Sequence, residues 1–294
     1  MDWNKFKCRA SAISKIMSNS RENAPLTEIQ TKRMKELSEK AIRTTGQDVE
    51  LTELTLKKQK SDNVILSDTC ISYLVEAYAW ETEKMCSITK EMDVEYFTRG
   101  RMTEPESINL LSFVDAYPYE KNSDRMENDF LSGIMDVYKG EAPAAVKSIT
   151  DIKSCKDYPT FLYKIHKGLD PGNREQLQGY GGIVDCGDLG VAFTLPTMPE
   201  PIRNDYKRRL FYKGEYVTEE SPDFLQAWEE LERSMIFDHI PTERRVYKVK
   251  IDPFTKAEQQ AVYERVSHCS QWVFIFAEQF KQRNQPQTRV LHVE

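Results

Sequence analysis

The sequence contains no run of about 18 apolar residues, so it offers no segment suited to crossing a bilayer as a helix. Met1 to Ala10 lacks the apolar core of a secretion leader, and the expected location is therefore the cytoplasm. Cysteine pairs are also missing. The six cysteines, at 8, 70, 86, 155, 186 and 269, never fall into a C-x-x-C spacing. That argues against a zinc ribbon or a locally held cluster, and they read as free thiols in a reducing compartment. There is no internal repeat and no low-complexity tract. Nor is there an excess of positive charge, because the net charge is −6. This counts against general attraction to nucleic acid but leaves room for a local basic face. Basic residues gather at Arg99 and Arg101, over 147–167 and over 203–209, and each group alone reads as solvated surface.

What is present is an ordinary globular composition, 39% hydrophobic and 30% charged over 294 residues, long enough to bury a substantial core. The patterns predict a short helix over 8–17, a loop over 18–25 and a helix from Thr27 (its N-cap) to about Arg43. Residues 44–62 read as a polar, mobile connection with some helix. Helices are predicted over 67–90 and 103–116. The centre changes to two short, partly alternating segments, 129–138 and 146–153, separated by the Gly- and Pro-bearing stretch 139–145, which is a hairpin signal. Helices over 159–167 and 174–184 follow, then a strand over 190–195. Residues 197–243 form a charged, aromatic insertion or appendage. A strand over 245–251 and an amphipathic helix over 255–281 close the chain. The apolar stripe of that helix, Val262, Val266, Cys269, Val273, Phe276 and Phe280, reads as core packing rather than partner binding. The whole is expected to be one α/β domain, a small mixed β-sheet flanked by helices.

The chemistry concentrates in the predicted hairpin. Asp151 and Lys153 are two apart on a strand and share a face. A register placing Asp136 opposite Ile149, with the turn centred on Glu141–Pro143, brings Asp136 onto the same face. Two carboxylates and an amine on an apolar hairpin need compensation, either as ion pairs or around a divalent cation. Such a site suits phosphodiester hydrolysis, with the cation polarising the phosphate and lysine orienting water. The plainer alternative is an exposed Asp–Lys pair. Upstream, Gly100 and Glu104 stand in Arg99-Gly-Arg-Met-Thr-Glu-Pro-Glu-Ser107, with Glu104 in the first turn of a predicted helix, where it could simply complement the helix dipole. Downstream, Gln176 and Tyr180 share a helix face in Gln176-Leu-Gln-Gly-Tyr180, which alone is an ordinary polar face.

The order of these pieces is glycine and glutamate, strand with aspartate, turn, Asp-Ile-Lys, and helix with Gln-x-x-x-Tyr. It resembles the PD-(D/E)XK nuclease superfamily and, within it, the YqaJ-type viral recombinase nucleases related to bacteriophage lambda exonuclease. The likeness spans about residues 6–195, and the opening Phe6-Lys-Cys-Arg-Ala-Ser11 with Ile13-Ser-Lys-Ile-Met17 matches the family's start. Residues 197–294 then stand as a C-terminal extension of a single nuclease domain.

The resemblance implies a restriction-endonuclease-like α/β core and two-metal hydrolysis by a DNA exonuclease acting on duplex ends, 5′ to 3′, in phage-type recombination or replication. It makes Glu104, Asp136, Asp151, Lys153 and Gln176 catalytic. Glu104, Asp136, Asp151 and the Ile152 carbonyl become metal ligands, and Arg9, Ser11 and Tyr180 contacts to DNA or its 5′-phosphate. The implied cofactor is Mg²⁺, with Mn²⁺ able to substitute; a subset of related nucleases carries an iron–sulfur cluster held by four cysteines, but the cysteine spacing here does not support one. The implied partners are double-stranded DNA ends, a single-strand annealing protein and further copies of the chain in a ring, with no membrane. The setting is the cytoplasm of a bacterial host, encoded by a phage or prophage. Met135 stands where the family often has proline. A structure- or sequence-selective endonuclease and a non-catalytic DNA-binding scaffold are the competing readings.

Overall fold

The computed structural model describes residues 2–18, 26–40, 42–62, 66–85 and 94–283. The strands are β1 (Cys8–Arg9), β2 (Met126–Glu127), β3 (Leu131–Gly133), β4 (Val137–Glu141), β5 (Ala145–Ser154), β6 (Leu189–Thr194) and β7 (Val246–Ile251). The α-helices are α1 (Ile13–Ile16), α2 (Glu28–Glu39), α3 (Thr45–Asp62), α4 (Asp68–Glu83), α5 (Val94–Asp115), α6 (Tyr158–Lys167), α7 (Pro171–Val184), α8 (Glu200–Lys213), α9 (Pro222–Arg233) and α10 (Lys256–Arg283). The fold is thus α/β with small mixed sheets and flanking helices, as expected.

Over the described residues the chain divides into two units, one within Met1–Lys7, Ser14–Met85 and Gln260–Glu294, the other within Cys8–Ile13 and Cys86–Gln259. The first is helical. In α2 a capping box at Thr27 satisfies the first amides, its hydroxyl accepting from Gln30 N–H. Arg33 donates twice to Glu50 across the α2–α3 pair, at 3.0 and 2.9 Å. Elsewhere in this unit Cys70 and Leu74 of α4 and Val266, Cys269 and Val273 of α10 are buried, and Trp3 stacks on Tyr78 with centroids 5.2 Å apart. The predicted stripe of α10 is buried at Val262, Val266, Cys269 and Val273, but Phe280 is 46% exposed and Ala277 takes the inner position. Cys8, Cys70, Cys155, Cys186 and Cys269 are buried and in no disulfide, and Cys86 lies outside the described residues.

The second unit carries both sheets. The larger has the order β4-β5-β6-β7, with β4/β5 and β6/β7 antiparallel and β5/β6 parallel. The inner strand β6 is mostly buried from Leu189 to Thr194, which is why it reads as a short continuous apolar run. One face packs against α5, where Ile108 and Leu111 join Tyr119, Val137 and Ala192. The smaller sheet has the order β1-β3-β2. Among the described residues no helix is long and apolar enough to cross a membrane.

Several predicted elements fall differently. The segment 8–17 is a strand, a 3₁₀ turn (Ala10–Ala12) and one turn of helix, because Cys8 and Arg9 pair with Leu131 and Ser132. Residues predicted as a mobile connection form α3 throughout Thr45–Asp62. The helix predicted over 67–90 ends at Glu83, where Lys84 takes the left-handed conformation (φ 57°); 86–93 lie outside the described residues. Most of the loop predicted over 18–25 also lies outside them. Helix α5 begins at Val94 instead of 103 and runs through Gly100 and Pro105, so two breaker residues do not end it. The strand predicted over 129–138 is two strands in different sheets, β3 and β4, interrupted over 134–136. The insertion over 197–243 is built of α8, α9 and a 3₁₀ turn at Thr242–Arg244.

Candidate active site

All the predicted site residues lie in the second unit. Asp136 occupies the last position of the break, just before β4. The observed register pairs Val137 with Thr150, so the next step along the ladder sets Asp136 across from Asp151. The predicted partner, Ile149, instead pairs with Tyr138, because the turn lies one residue later and a bulge at Lys139/Gly140 shifts the ladder again. The correction brings the two carboxylates closer than the sequence register did.

Strand β5 sorts its side chains by parity. Ser154 bonds Ser107 of α5 at 2.7 Å and Ile152 packs on the α5 cluster, so the even positions face α5. Asp151 and Lys153 take the other face, where Tyr180 of α7 feels the Asp151 charge. Backbone amides sort too. Ile149 and Cys155 donate toward β6, to Asp188 and Thr194 carbonyls, so Ile152 turns its amide and carbonyl the other way, past the end of β4. Asp136 Oδ2 accepts that Ile152 N–H at 2.8 Å. The Ile152 carbonyl points into the same gap.

Asp151 is 2% exposed. Its Oδ2 lies 2.8 Å from Lys153 Nζ, an ion-pair distance, but receives no directed hydrogen bond. Burial, and then the neighbouring Asp151 charge, push the Asp136 carboxyl up to about 7, against the opposing pull of the Ile152 N–H and Lys153. Glu104 adds to that negative field and pairs with Lys121. It sits in the middle of α5, so the dipole explanation for it does not apply. Among the described residues no three Asp, Glu, His or Cys side chains are gathered as tightly as around a bound ion. The oxygens that do converge, from Asp136, Asp151 and the Ile152 carbonyl, are hard donors in a half-buried, negatively charged gap. Such a donor set suits Mg²⁺ or Mn²⁺.

Gln176 donates to the Tyr180 hydroxyl at 2.8 Å, and Tyr180 is 5% exposed. Its ring covers Gly133, where any Cβ would collide with it, and the preceding residue, Gly179, lets Ala10 and Ile13 approach α7. These glycines press α7 and the 3₁₀ turn together against β3. Burial, with the Asp151 and Asp136 charges, raises the Tyr180 phenol far above its usual range, so it stays protonated. Arg9 and Ser11 are exposed, on β1 and in the 3₁₀ turn that follows it.

Sequence reasoning missed Asn122. Its amide nitrogen donates to the Met135 carbonyl at 2.9 Å, and its backbone N–H donates to the Asp136 carbonyl at 3.0 Å. It pins the break that presents Asp136. It also missed Lys121, the partner of Glu104. Neither stands in a motif spacing. Only the fold brings 121–122 beside 135–136.

No family model and no curated protein matches the sequence. Solved structures do match. A phage-related exonuclease from Haemophilus somnus superposes with a TM-score of 0.55 at 19% identity, covering 94% of this chain and 97% of that one. An alkaline exonuclease from Laribacter hongkongensis gives 0.52 at 11% identity, covering 94% and 92%. The same enzyme in complex with dAMP gives 0.50 at 10% identity, covering 95% and 94%. The chain therefore has the fold of the phage-related and alkaline exonucleases, the one its motif order led us to expect.

Proposed function

We propose that the protein is a metal-dependent DNA exonuclease that hydrolyses phosphodiester bonds from duplex ends, in the 5′ to 3′ direction. The observation that carries this reading is the gap at the end of β4, where half-buried Asp136 adjoins buried Asp151 with Lys153 2.8 Å from it. The exonuclease fold supports it, as does the neighbour that binds a deoxynucleotide, dAMP.

Asp136, Asp151 and the Ile152 carbonyl would hold Mg²⁺ or Mn²⁺, with Glu104 for a second ion. When bound, such ions supply Lewis-acid stabilisation of the phosphate and activation of water. Lys153 orients the attacking water and offsets charge growing on phosphate. The water oxygen bonds to phosphorus as the P–O3′ bond breaks, and the leaving O3′ takes up a proton. Gln176, anchored on Tyr180, donates to phosphate or to the attacking water. Arg9 and Ser11, both exposed, receive the terminal 5′-phosphate. The wider role is in phage-type recombination or replication in a bacterial cytoplasm, beside a single-strand annealing protein and as a ring of identical chains.

The test is a time course on linear duplex DNA, with and without a 5′-phosphate, in Mg²⁺, Mn²⁺ and EDTA, beside a covalently closed circle. Metal-dependent loss of the linear duplex that spares the circle is the expected result. Cleavage of the circle would indicate an endonuclease, and no cleavage of either substrate would leave the protein a binding module.

A further inference from the structure

A cavity of about 540 Å³ opens where the N-terminus of α6 meets the segment after α9. It lies outside the catalytic gap, though Asp157 on its wall follows Lys153 by only four residues. Its volume is that of a small-molecule site. Pro159, Ile240 and Pro241 give the wall an aliphatic part and Ser234 a hydroxyl, and two further kinds of group bear on what could bind. Tyr158 and Phe237 are aromatic. Phe237 is buried, and Tyr158 stacks on Phe161 with centroids 6.5 Å apart, which restrains its ring. Arg233 and Arg244 are cationic, His239 offers ring nitrogens that can hydrogen-bond an anion, and all three are exposed. Arg233 is shared with Glu229 at 2.9 Å. The one carboxylate on the wall, Asp157, already accepts the Thr160 N–H at 2.7 Å as the cap of α6. The balance of charge therefore favours an anion, and the aromatic rings favour a flat ring attached to it.

We propose that this cavity is a second nucleotide-binding site, with the phosphate held by Arg244, Arg233 and His239 and the base set against Tyr158 and Phe237. Stacking on an aromatic side chain beside a cationic group is how a base and its phosphate are held without sequence preference. The choice of a nucleotide among aromatic anions rests on the nuclease reading. The nucleotide can come from a single DNA strand or from released mononucleotide, and both share this chemistry.

The test is calorimetric titration of the full-length protein in EDTA, where no cleavage occurs, with dTMP, a short single-stranded oligothymidylate and inorganic phosphate as separate probes. Arg244→Ala and Tyr158→Ala should each weaken nucleotide binding about fivefold or more, the loss expected for one stacking or charge contact. Tyr158→Phe should retain it. Lys256→Ala should leave it within about twofold, since this exposed residue belongs to neither the catalytic gap nor this cavity. Binding of the oligonucleotide alone would identify a strand as the ligand, and equal binding of dTMP would identify the free nucleotide. Either supports the site. Absence of binding, wild-type affinity in Arg244→Ala, an equal loss in Lys256→Ala, or phosphate binding as tightly as the nucleotides would overturn it. Failure of the nuclease reading would show separately, as intact linear duplex in the metal-dependent assay.

Discussion

At the residue scale the decisive feature is two carboxylates that adjoin each other in a place where water is scarce. A carboxyl group raised to about 7 in the folded chain, against about 4 unfolded, binds its proton more tightly when folded. Between those values the folded state holds the extra proton, so this contribution to stability is greatest at low pH and is lost as pH rises through about 7. In EDTA at pH 8, Asp136→Asn should therefore be more stable than wild type by about 1–3 kcal/mol, a figure reduced for the part of Asp136 that water still reaches. The difference should shrink toward pH 4. Urea denaturation at the two pH values checks this, and a pH-independent gap would contradict it. The same variant should lose cleavage. Lys153→Ala should lower the cleavage rate by about 100-fold or more without unfolding, because in the proposed mechanism it removes the charge that faces the reacting phosphate. Gln176→Ala should cost less, about tenfold, since it acts on orientation. Single-turnover rates on a linear duplex, with circular dichroism to confirm folding, separate these outcomes.

At the element scale, the break between β3 and β4 presents Asp136, and α5 together with the end of β6 braces the sheet beside it. Arg245, 5% exposed, donates to the Leu195 carbonyl at 2.9 Å and to Asp238 at 3.2 Å, and also pairs with Glu106 of α5. It thereby ties α5, the exit of β6 and the segment preceding β7 together. Arg245→Met should destabilise the protein by about 2–4 kcal/mol, because it leaves partners of a buried cation without their donor. A drop in melting temperature reports it, and an unchanged melt would show that these partners find water instead. Element identity was largely legible from periodicity. Helix α7, strand β5 and helix α10 lie close to where their apolar patterns put them. The start of α5 was not, because Gly100 is a breaker in isolation, whereas the helix anchored by the packing of Ile108 and Leu111 runs on through it.

At the scale of the whole molecule, the proposed cation site in the carboxylate gap would couple cation binding to folding. Mutual repulsion of Asp136 and Asp151 is relieved by any divalent ion they share, so Mg²⁺ at tenfold its dissociation constant should add about 1.4 kcal/mol to stability. Thermal melts with Mg²⁺ and with EDTA should therefore differ in the wild type, and the difference should vanish in Asp136→Asn. An equal shift in that variant would place the ion elsewhere. The acidic balance of −6 is no obstacle to the proposed chemistry, since part of it is the proposed ligand set.

The sequence by itself determined the residue types of the candidate site, the strand that carries Asp151 and Lys153 on one face, and the α/β class. Those follow from local periodicity, which each segment expresses without knowledge of the others. Tertiary structure alone decided that β3 and β4 belong to different sheets, that Asp136 lies opposite Asp151 and not Ile149, and that Asn122 and Lys121 support the site. Register depends on how a turn and a bulge divide the residues between two strands. Asn122 reaches the Met135 and Asp136 backbone only because the chain returns there, a long-range contact that leaves no periodic mark in the sequence.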